Sequence, residues 1–271
     1  MRLFDAGEEG FLAELRSRGL ARSIEDDAAQ LRHGLIATAD VLVEGVHFLL
    51  DRMSWRELGY RAAVVNLSDL AASGAEAEEV LVVLAAPART RLDDALALYE
   101  GIAETGAPVA GGDTSRADRV SVCVTALGRS ERVPGRGGAL PGDLVVVTGP
   151  LGASGAAFRA GRYARPPIRL QEGRRLAVHA HALTDISDGL AVDAGHIAAR
   201  SGCRLEIELE RVPLAEGVDT DDLSFGEDYE LLAAVERDDG FSVIGRCVEG
   251  DGVSFTLAGR LVELGGFHHF R

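Results

Sequence analysis

The sequence predicts a mixed α/β protein built as two domains. Windows of helical period alternate along it with short windows of strand period. Its 271 residues are 46% hydrophobic, enough to bury a sizeable core, and that length suits two units of about 130 residues each. Near the middle, "SERVPGRGGALPGD" (130–143) concentrates glycine and proline, the composition of a connection between packed units. The boundary is expected at residue 135, giving an N-terminal α/β domain over 1–135 and a C-terminal α/β domain over 136–271.

In "EEGFLAELRSRG", Phe11, Leu12 and Leu15 are spaced for a helix that Gly19 can end. "GLIATADVLVEGVHF" is β-rich. Ser54 and Glu57 form the pattern of a capping box, opening a helix that runs to about Ser73, with Gly74 ending it. The valine-rich "EVLVVLAAP" predicts a buried strand, and "RVSVCVTALG" a half-buried one. Between them, "RLDDALALYEGIAETG" predicts a helix with Leu92, Leu96, Tyr99 and Ile102 on one face. Beyond the connection come a strand at "DLVVVTG", a helix from about Ala153 and another near "EGRRLAVHAHAL". Next are a strand and a helix flanking "DISDGL", the helix reaching Ser201. "RLEIELERV" alternates Leu205, Ile207 and Leu209 with Glu206, Glu208 and Glu210, a strand with one wet face. "YELLAAV" and "VSFTLAGRLVEL" close the chain as strands, and no short-period repeat is present.

The formal net charge is −15, and all 28 basic residues are arginine, since the sequence contains no lysine. Such a chain lacks the basic footprint of a nucleic-acid binder. The P-loop and the protein-kinase strand lysine are excluded as well, so any phosphate must be met by metal ions and arginine. Cys123, Cys203 and Cys247 form no C-x-x-C pair and leave an odd count, which predicts buried free thiols rather than disulfides or a zinc site. No run reaches the length of a membrane span or a signal-peptide core, so a cytoplasmic protein is expected, with no membrane partner.

Six acidic clusters stand beside glycine, small or apolar residues: Asp26 and Asp27, Asp40 and Glu44, Asp69, Asp113, Asp185 and Asp188, and Glu227 and Asp228. Any one alone is explained as a cap or turn. Together they supply hard oxygen ligands for divalent cations, since Mg²⁺ takes carboxylates one or two at a time and completes its shell with water and phosphate. In "TDISDGL", Asp185 is expected to end a strand, Ser187 to cap the next helix, and Gly189 to let a ligand near the backbone. "GGDTS" has the same logic, with Asp113 at the tip. "GPLGAS" is a looser glycine loop, more often structural than phosphate-binding. No G-x-S-x-G elbow supports a serine nucleophile. Asn66 and Asp69, three apart, share a helix face.

Taken in order, "EDDAA", "TADVLVEGVHF", "NLSDLAASGA", "GGDTS", "RGGALPGD", "DISDGL" and "GEDYELL" resemble the thiamine-monophosphate kinase family. Its superfamily also holds aminoimidazole ribonucleotide synthetase and selenophosphate synthetase. The likeness runs from about Glu25 to "GGFHHF", and "LVEGVHF", "NLSDLAASGA" and "GEDYELL" in combination mark the kinase branch. It implies a two-domain synthetase-like fold whose N-terminal strands pair across a homodimer, with ATP and several Mg²⁺ ions in the groove between domains. The implied reaction is ATP-dependent phosphorylation of thiamine phosphate to thiamine diphosphate. Carried over residue by residue, the resemblance makes Asp27, Thr38, Asp40, Asp69, Asp113, Asp185 and Asp188 metal ligands. Gly112, Asp113, Arg136 and Ser187 would contact ATP, and His47, Glu227 and Phe267 would line the thiamine phosphate site. None of the clusters offers a nucleophile, so transfer is expected to be direct and in line, without a catalytic protein group. Apart from the resemblance, His47 reads as a hydrogen-bonded strand histidine and Phe267 as a packing aromatic.

Two departures from the family pattern stand out. "SIEDD" puts Ser23 and Glu25 where glycines are usual, with Glu25 expected to crowd the loop, and Ala39 stands where Ser or Thr is usual, one hydroxyl ligand fewer. The chain is also short between "GPLGASG" and "DISDGL" and between "ERVPL" and "GEDYELL". Two other readings compete with the kinase: another ATP-dependent synthetase of the superfamily, and a non-catalytic nucleotide-binding homologue. The absence of an N-terminal catalytic cysteine and lysine counts against selenophosphate chemistry, and "LVEGVHF" against the purine branch.

Overall fold

The computed structural model describes residues 2–22 and 24–267, leaving Ser23 and the last residues of "GGFHHF" outside the described part. The N-terminal half contributes helix α1 (Leu3–Ser17), strands β1 (Ala29–Gln30) and β2 (Leu35–Val43), and helix α2 (Trp55–Ala72). Strand β3 (Glu76–Ala86), helix α3 (Leu92–Ala103) and strands β4 (Val109–Arg116) and β5 (Ser121–Arg129) follow. Its strands form one sheet in the order β1-β2-β5-β3-β4, with only the β3–β4 pair parallel. The C-terminal half contributes β6 (Leu144–Val147), α4 (Ala153–Arg159), α5 (Leu170–Ala177), β7 (Ala180–Asp185), α6 (Leu190–Ser201) and β8 (Arg204–Glu208). Strands β9 (Leu231–Val235), β10 (Ser242–Val248), β11 (Gly252–Leu257) and β12 (Arg260–Val262) complete a second sheet, ordered β12-β11-β8-β10-β6-β9-β7.

Helix α2 holds the two sheets together. Ser54 caps it, its Oγ accepting the Glu57 N–H at 3.2 Å while Glu57 accepts the Ser54 N–H at 2.8 Å. Leu58, Ala62, Ala63, Leu67 and Leu70 enter the core of the first sheet, and Ala71 and Ala72 join Leu176, Leu183 and Leu231 of the second half. A helix apolar on nearly every side can be stable only when covered on every side. Close approach depends on glycine: a Cβ at Gly59 would strike the Leu98 backbone of α3, and one at Gly101 would strike the Arg56 backbone.

That crossing corrects the expected face of α3. The helix buries Leu98, Gly101 and Ile102, with Ala95 and Tyr99 at the margin, while Leu92 and Leu96 stay 73% and 52% exposed. Contact over Gly101 rotates the buried stripe away from the leucines that the spacing alone selects. "GGDTS" is likewise not a loop tip, since Asp113 lies mid-strand in β4, opposite Val83 of β3. The predicted helix near "EGRRLAVHAHAL" stops at Ala177, because Ala180 already pairs with Val235 of β9. Strand β10, which carries no clean alternation, forms by pairing with both β6 and β8. "VSFTLAGRLVEL" turns back on itself at Ala258 and Gly259, with φ of 49° and 72°.

Segment 130–143 passes from the last strand of the first sheet to the first strand of the second and is anchored along the way. Arg132 donates to the carbonyl of Ala180 at 2.7 Å, and Gly135, at φ 69°, lies where a Cβ would press on the Asp26 carboxylate. Cys203 and Cys247 are buried and Cys123 is half-buried, all three unbridged. Among the described residues, no helix is long and apolar enough to cross a membrane.

Candidate active site

The first constellation forms where β2, α2 and β7 converge. Pleat alternation turns Thr38 and Asp40 of β2 toward α2, beside the buried Ile36 and Leu42. Asn66 of α2, fully buried, fixes that register: its Oδ1 accepts the Asp40 N–H at 3.1 Å and its Nδ2 donates to the Ala62 carbonyl at 3.0 Å. One helical turn on, Asp69 accepts a hydrogen bond from the Thr38 hydroxyl. From the C-terminal half, Asp185 at the end of β7 accepts the Ser68 hydroxyl at 2.6 Å. Asp27 accepts from the Arg136 guanidinium at 2.6 Å and from the Thr184 hydroxyl at 3.1 Å. Ligand oxygens of Asp27, Asp69 and Asp185 thereby come within 4.8 Å of one another.

Concentrated negative charge shows in the proton affinities. Burial, and next the charge of Asp27, pushes the Asp185 carboxyl up to about 7, against the Ser68 hydrogen bond and Arg136. Burial together with Asp40, Asp185 and Asp27 raises Asp69 well above the ordinary carboxylate range. Burial opposes the charge on Arg136, but Asp27 more than offsets it and the guanidinium stays ionised.

A second constellation lies on the far side of Asp185. The loop "ISDG" and the loop "GEDYE" are stitched by backbone bonds, Glu227 N–H to Ser187 O at 2.7 Å, Tyr229 N–H to Ile186 O at 2.9 Å and Ile186 N–H to Glu230 O at 2.8 Å. Glu227 and Tyr229 hold positive φ of 59° and 51°, and Gly226, at 80°, sits where a Cβ would strike the Ser187 carbonyl. Glu227 is paired with the buried Arg61 of α2, whose guanidinium also stands over the Tyr163 ring at 5.1 Å. Phe267 donates its N–H to the Asp188 carbonyl at 2.9 Å and leaves its ring about half exposed. His47 sits in the turn after β2, its Nδ1 accepting the Val43 N–H at 3.0 Å.

Two expected roles change. Ser187 does not cap α6: the N-cap is Gly189, and Asp193 reaches back to accept the Ser187 and Asp188 N–H groups at 3.1 and 3.0 Å. At "GPLGAS", the Gly152 N–H is taken at 2.8 Å by Asp228, so this helix start is closed by a protein carboxylate and the structural reading of the loop holds. Asp113 and Gly112 stand apart from both constellations within one chain. Asp40 aligns across β5 and β3 with Gly112, three strand spacings away, roughly 14 Å. Asp113 shares the opposite, outer face with Val83, Cys123 and Val41. The absence of a Cβ at Gly112 has a local cause, for it would collide with the Val82 carbonyl.

Residues 25–130 match the family AIR synthase related protein, N-terminal domain, and residues 141–267 match its C-terminal domain. The thiamine-monophosphate kinase of Aquifex aeolicus (strain VF5) is 33% identical over 309 aligned positions, covering 100% of each chain. The chain belongs to the thiamine-monophosphate kinase family. The family member of Rhodopirellula baltica is 36% identical over 84% of this chain and 82% of its own. The solved structure of AaThiL complexed with AMPPCP and TMP superposes with a TM-score of 0.90 at 32% identity, over 99% of each chain.

Both departures of this thiamine-monophosphate kinase family member find a structural account. Glu25 does not crowd its loop, because it pairs with Arg16 and, at 2.5 Å, with Arg200. Ala39 alternates onto the outer face of β2, away from Thr38 and Asp40. Residues given no role from the sequence complete the site: Arg61, Ser68, Thr184 and Asp193. Ser68 and Thr184 lie inside the motifs "NLSDLAASGA" and "TDISDGL", each next to an aspartate, whereas Arg61 and Asp193 lie outside every motif.

A carboxyl whose folded pKa exceeds its unfolded value near 4 holds its proton better when folded. Stability is therefore lost as pH rises from that value through about 7, the folded value of Asp185. The metal-free protein is expected to melt lower at about pH 8 than at about pH 5, and added Mg²⁺ to raise melting more at the higher pH, where it displaces no protons. Equal Mg²⁺ shifts at both pH values in scanning calorimetry would contradict this.

Proposed function

We infer that this chain is an ATP-dependent thiamine-phosphate kinase, moving the γ-phosphoryl group of ATP onto the phosphate of thiamine phosphate and releasing ADP and thiamine diphosphate. The observation that carries the reading is the convergence of Asp27, Asp69 and Asp185 within 4.8 Å, beside Arg136, in a chain related to such kinases along its whole length. An all-oxygen donor set of this kind fits Mg²⁺. Bound there, Mg²⁺ supplies positive charge against the triphosphate and the acceptor phosphate.

The acceptor is itself an ionised phosphate, so no strong base is required to activate it. Repulsion is the obstacle, since two unit charges about 4 Å apart cost roughly 4 kcal/mol at an effective dielectric of 20. Thr38, Asp40 and Asp188 extend the metal-binding set, Arg136 offers a fixed fork to phosphate, and Ser187 and Gly112 contact ATP. Glu227, oriented by Arg61, lines the thiamine phosphate site with His47 and Phe267. The phosphoryl group passes directly between the two substrates, with no phosphoenzyme and with inversion at phosphorus.

Asp113 enters through a second copy of the chain. It cannot reach the groove of its own subunit, yet β4 is exposed throughout and the outer face beside it carries Val41, Leu81 and Val83 uncovered. A homodimer that buries this face presents the partner subunit's Asp113 to the triphosphate. With residues 1–135 as the dimerising, ATP- and Mg²⁺-binding domain, residues 136–271 close the groove. The reading places the enzyme in the cytoplasm.

ADP release assayed with thiamine phosphate and, separately, with aminoimidazole precursors tests the assignment. Turnover only with thiamine phosphate is expected. Turnover with the precursors would favour a synthetase, and ATP binding without turnover would favour the non-catalytic homologue.

A further inference from the structure

Beside Glu227 lies a group of aromatic side chains that the metal-centred reading does not use. Phe158 near the end of α4, Tyr163 in the segment after it and Phe225 just before Gly226 pack ring against ring. Phe158 and Phe225 stand 4.9 Å apart between centroids, and Phe158 meets Tyr163 edge to face at 6.2 Å. Helix α4 is tied to the Glu227 loop, since Ser154 donates its hydroxyl to the Glu227 carbonyl at 2.7 Å. Arg61, the partner of Glu227, stands over Tyr163, and Arg52, in the loop that follows His47, stands 5.9 Å over the Phe158 ring. Phe158 is thus bracketed by the two loops that carry His47 and Glu227, one from each half of the chain. Ordinary packing would hide such a ring, yet Phe158 is 40% exposed.

We propose, taking thiamine phosphate as the acceptor as above, that Phe158 is a specificity-determining residue whose open face receives the positively charged ring of that substrate. The charge sits on a fully substituted ring nitrogen, which offers no N–H to a hydrogen-bond acceptor. An aromatic face is a group that meets such a cation directly. The Arg52 guanidinium already over the ring marks this face as one that takes a cation, and Arg52, exposed to solvent, gives way to the substrate. Contacts with Phe225 and Tyr163 hold the Phe158 ring in place before the substrate arrives. Glu227 adds a carboxylate at the edge of the same wall, with its backbone fixed by Ser154. An acceptor whose ring carries no charge gains nothing from this face, so Phe158 sorts acceptors by charge as well as by size.

The test is titration calorimetry on the full chain with Mg²⁺ and AMPPCP, beside steady-state ADP release. Two acceptors are compared: thiamine phosphate, and its isostere in which carbon replaces the charged ring nitrogen. The parent should bind the charged ring about 5-fold more tightly or better, the scale of one cation–π contact. Phe158→Leu keeps bulk but has no π face. It should lose most of that preference and raise KM for thiamine phosphate with little change in KM for ATP, while Phe158→Tyr keeps the parent values. No preference in the parent, or an equal preference in the parent and Phe158→Leu, would overturn the role. Weaker binding of both acceptors alike in Phe158→Leu would also overturn it, reducing Phe158 to packing. Should Phe158→Leu fail to fold by circular dichroism, Phe158→Met takes its place. Charge-selective binding that depends on Phe158, in a parent that releases no ADP, would refute the kinase reading and leave this one standing. ADP release with a KM indifferent to Phe158 would do the reverse.

Discussion

Asp69→Asn is expected to release ADP roughly 100- to 1000-fold more slowly than the parent, the scale on which a lost electrostatic contact to the reacting group is felt. It should do so while melting, without Mg²⁺, at the same temperature or higher. Asp69 is the carboxylate on which the others press: Asp40, Asp185 and Asp27 all raise its proton affinity. Asparagine keeps an oxygen to accept the Thr38 hydroxyl and resembles the neutral form that the crowded carboxyl already favours without metal, so the local bond survives without the cost of ionising the group. Steady-state ADP release with a parallel melting curve separates the two effects. Full activity would remove Asp69 from the metal-binding set, and lost activity with a lower melting temperature would make it a structural residue.

Mixing two inactive variants should restore activity. If the partner subunit's Asp113 completes the site, Asp113→Asn and Asp185→Asn are each inactive as homodimers. A mixed dimer, however, contains one intact site, with Asp185 from one chain and Asp113 from the other. Random reassociation then yields about a quarter of the parent rate. Refolding or co-expressing the two chains with distinct tags, followed by tandem purification, isolates the mixed dimer, which should show about half. No recovery in the purified mixed dimer would place both residues in the same subunit's site and rule out the shared arrangement. The expectation follows from strand order alone, since β5 and β3 stand between Asp40 and the strand that carries Asp113.

The most legible parts of the chain were those whose physical cause is local. The capping box of Ser54 and Glu57, the alternation around Leu205 and Ile207, and Asp185 at a strand end all depend on neighbours within a few residues. The acidic clusters were legible for another reason: carboxylates beside glycine and apolar residues are conspicuous wherever burial is otherwise the rule. Asp27, Asp69 and Asp185 were expected together and are together. Less legible were β4, whose "AGGDTS" gains its strand conformation only by lying parallel to β3, and the buried face of α3, set by contact at Gly101.

By itself, then, the sequence determined the chemistry on offer. A chain without lysine but with six carboxylate clusters meets phosphate through cations and arginine, and its ordered motifs pointed to one family of kinases. Tertiary structure decided how those groups are shared out. It occupied the "GPLGAS" helix start with Asp228, bound Glu227 to Arg61, and put Gly189 at the helix cap expected of Ser187, with Asp193 accepting the Ser187 and Asp188 N–H groups. It also set Asp113 on the outer face of an edge strand, facing away from its own groove. Each of these depends on contacts between residues far apart in the chain. Spacing along a sequence reports which side of an element a residue takes, but what stands opposite that side is fixed only when the sheets and α2 close on one another.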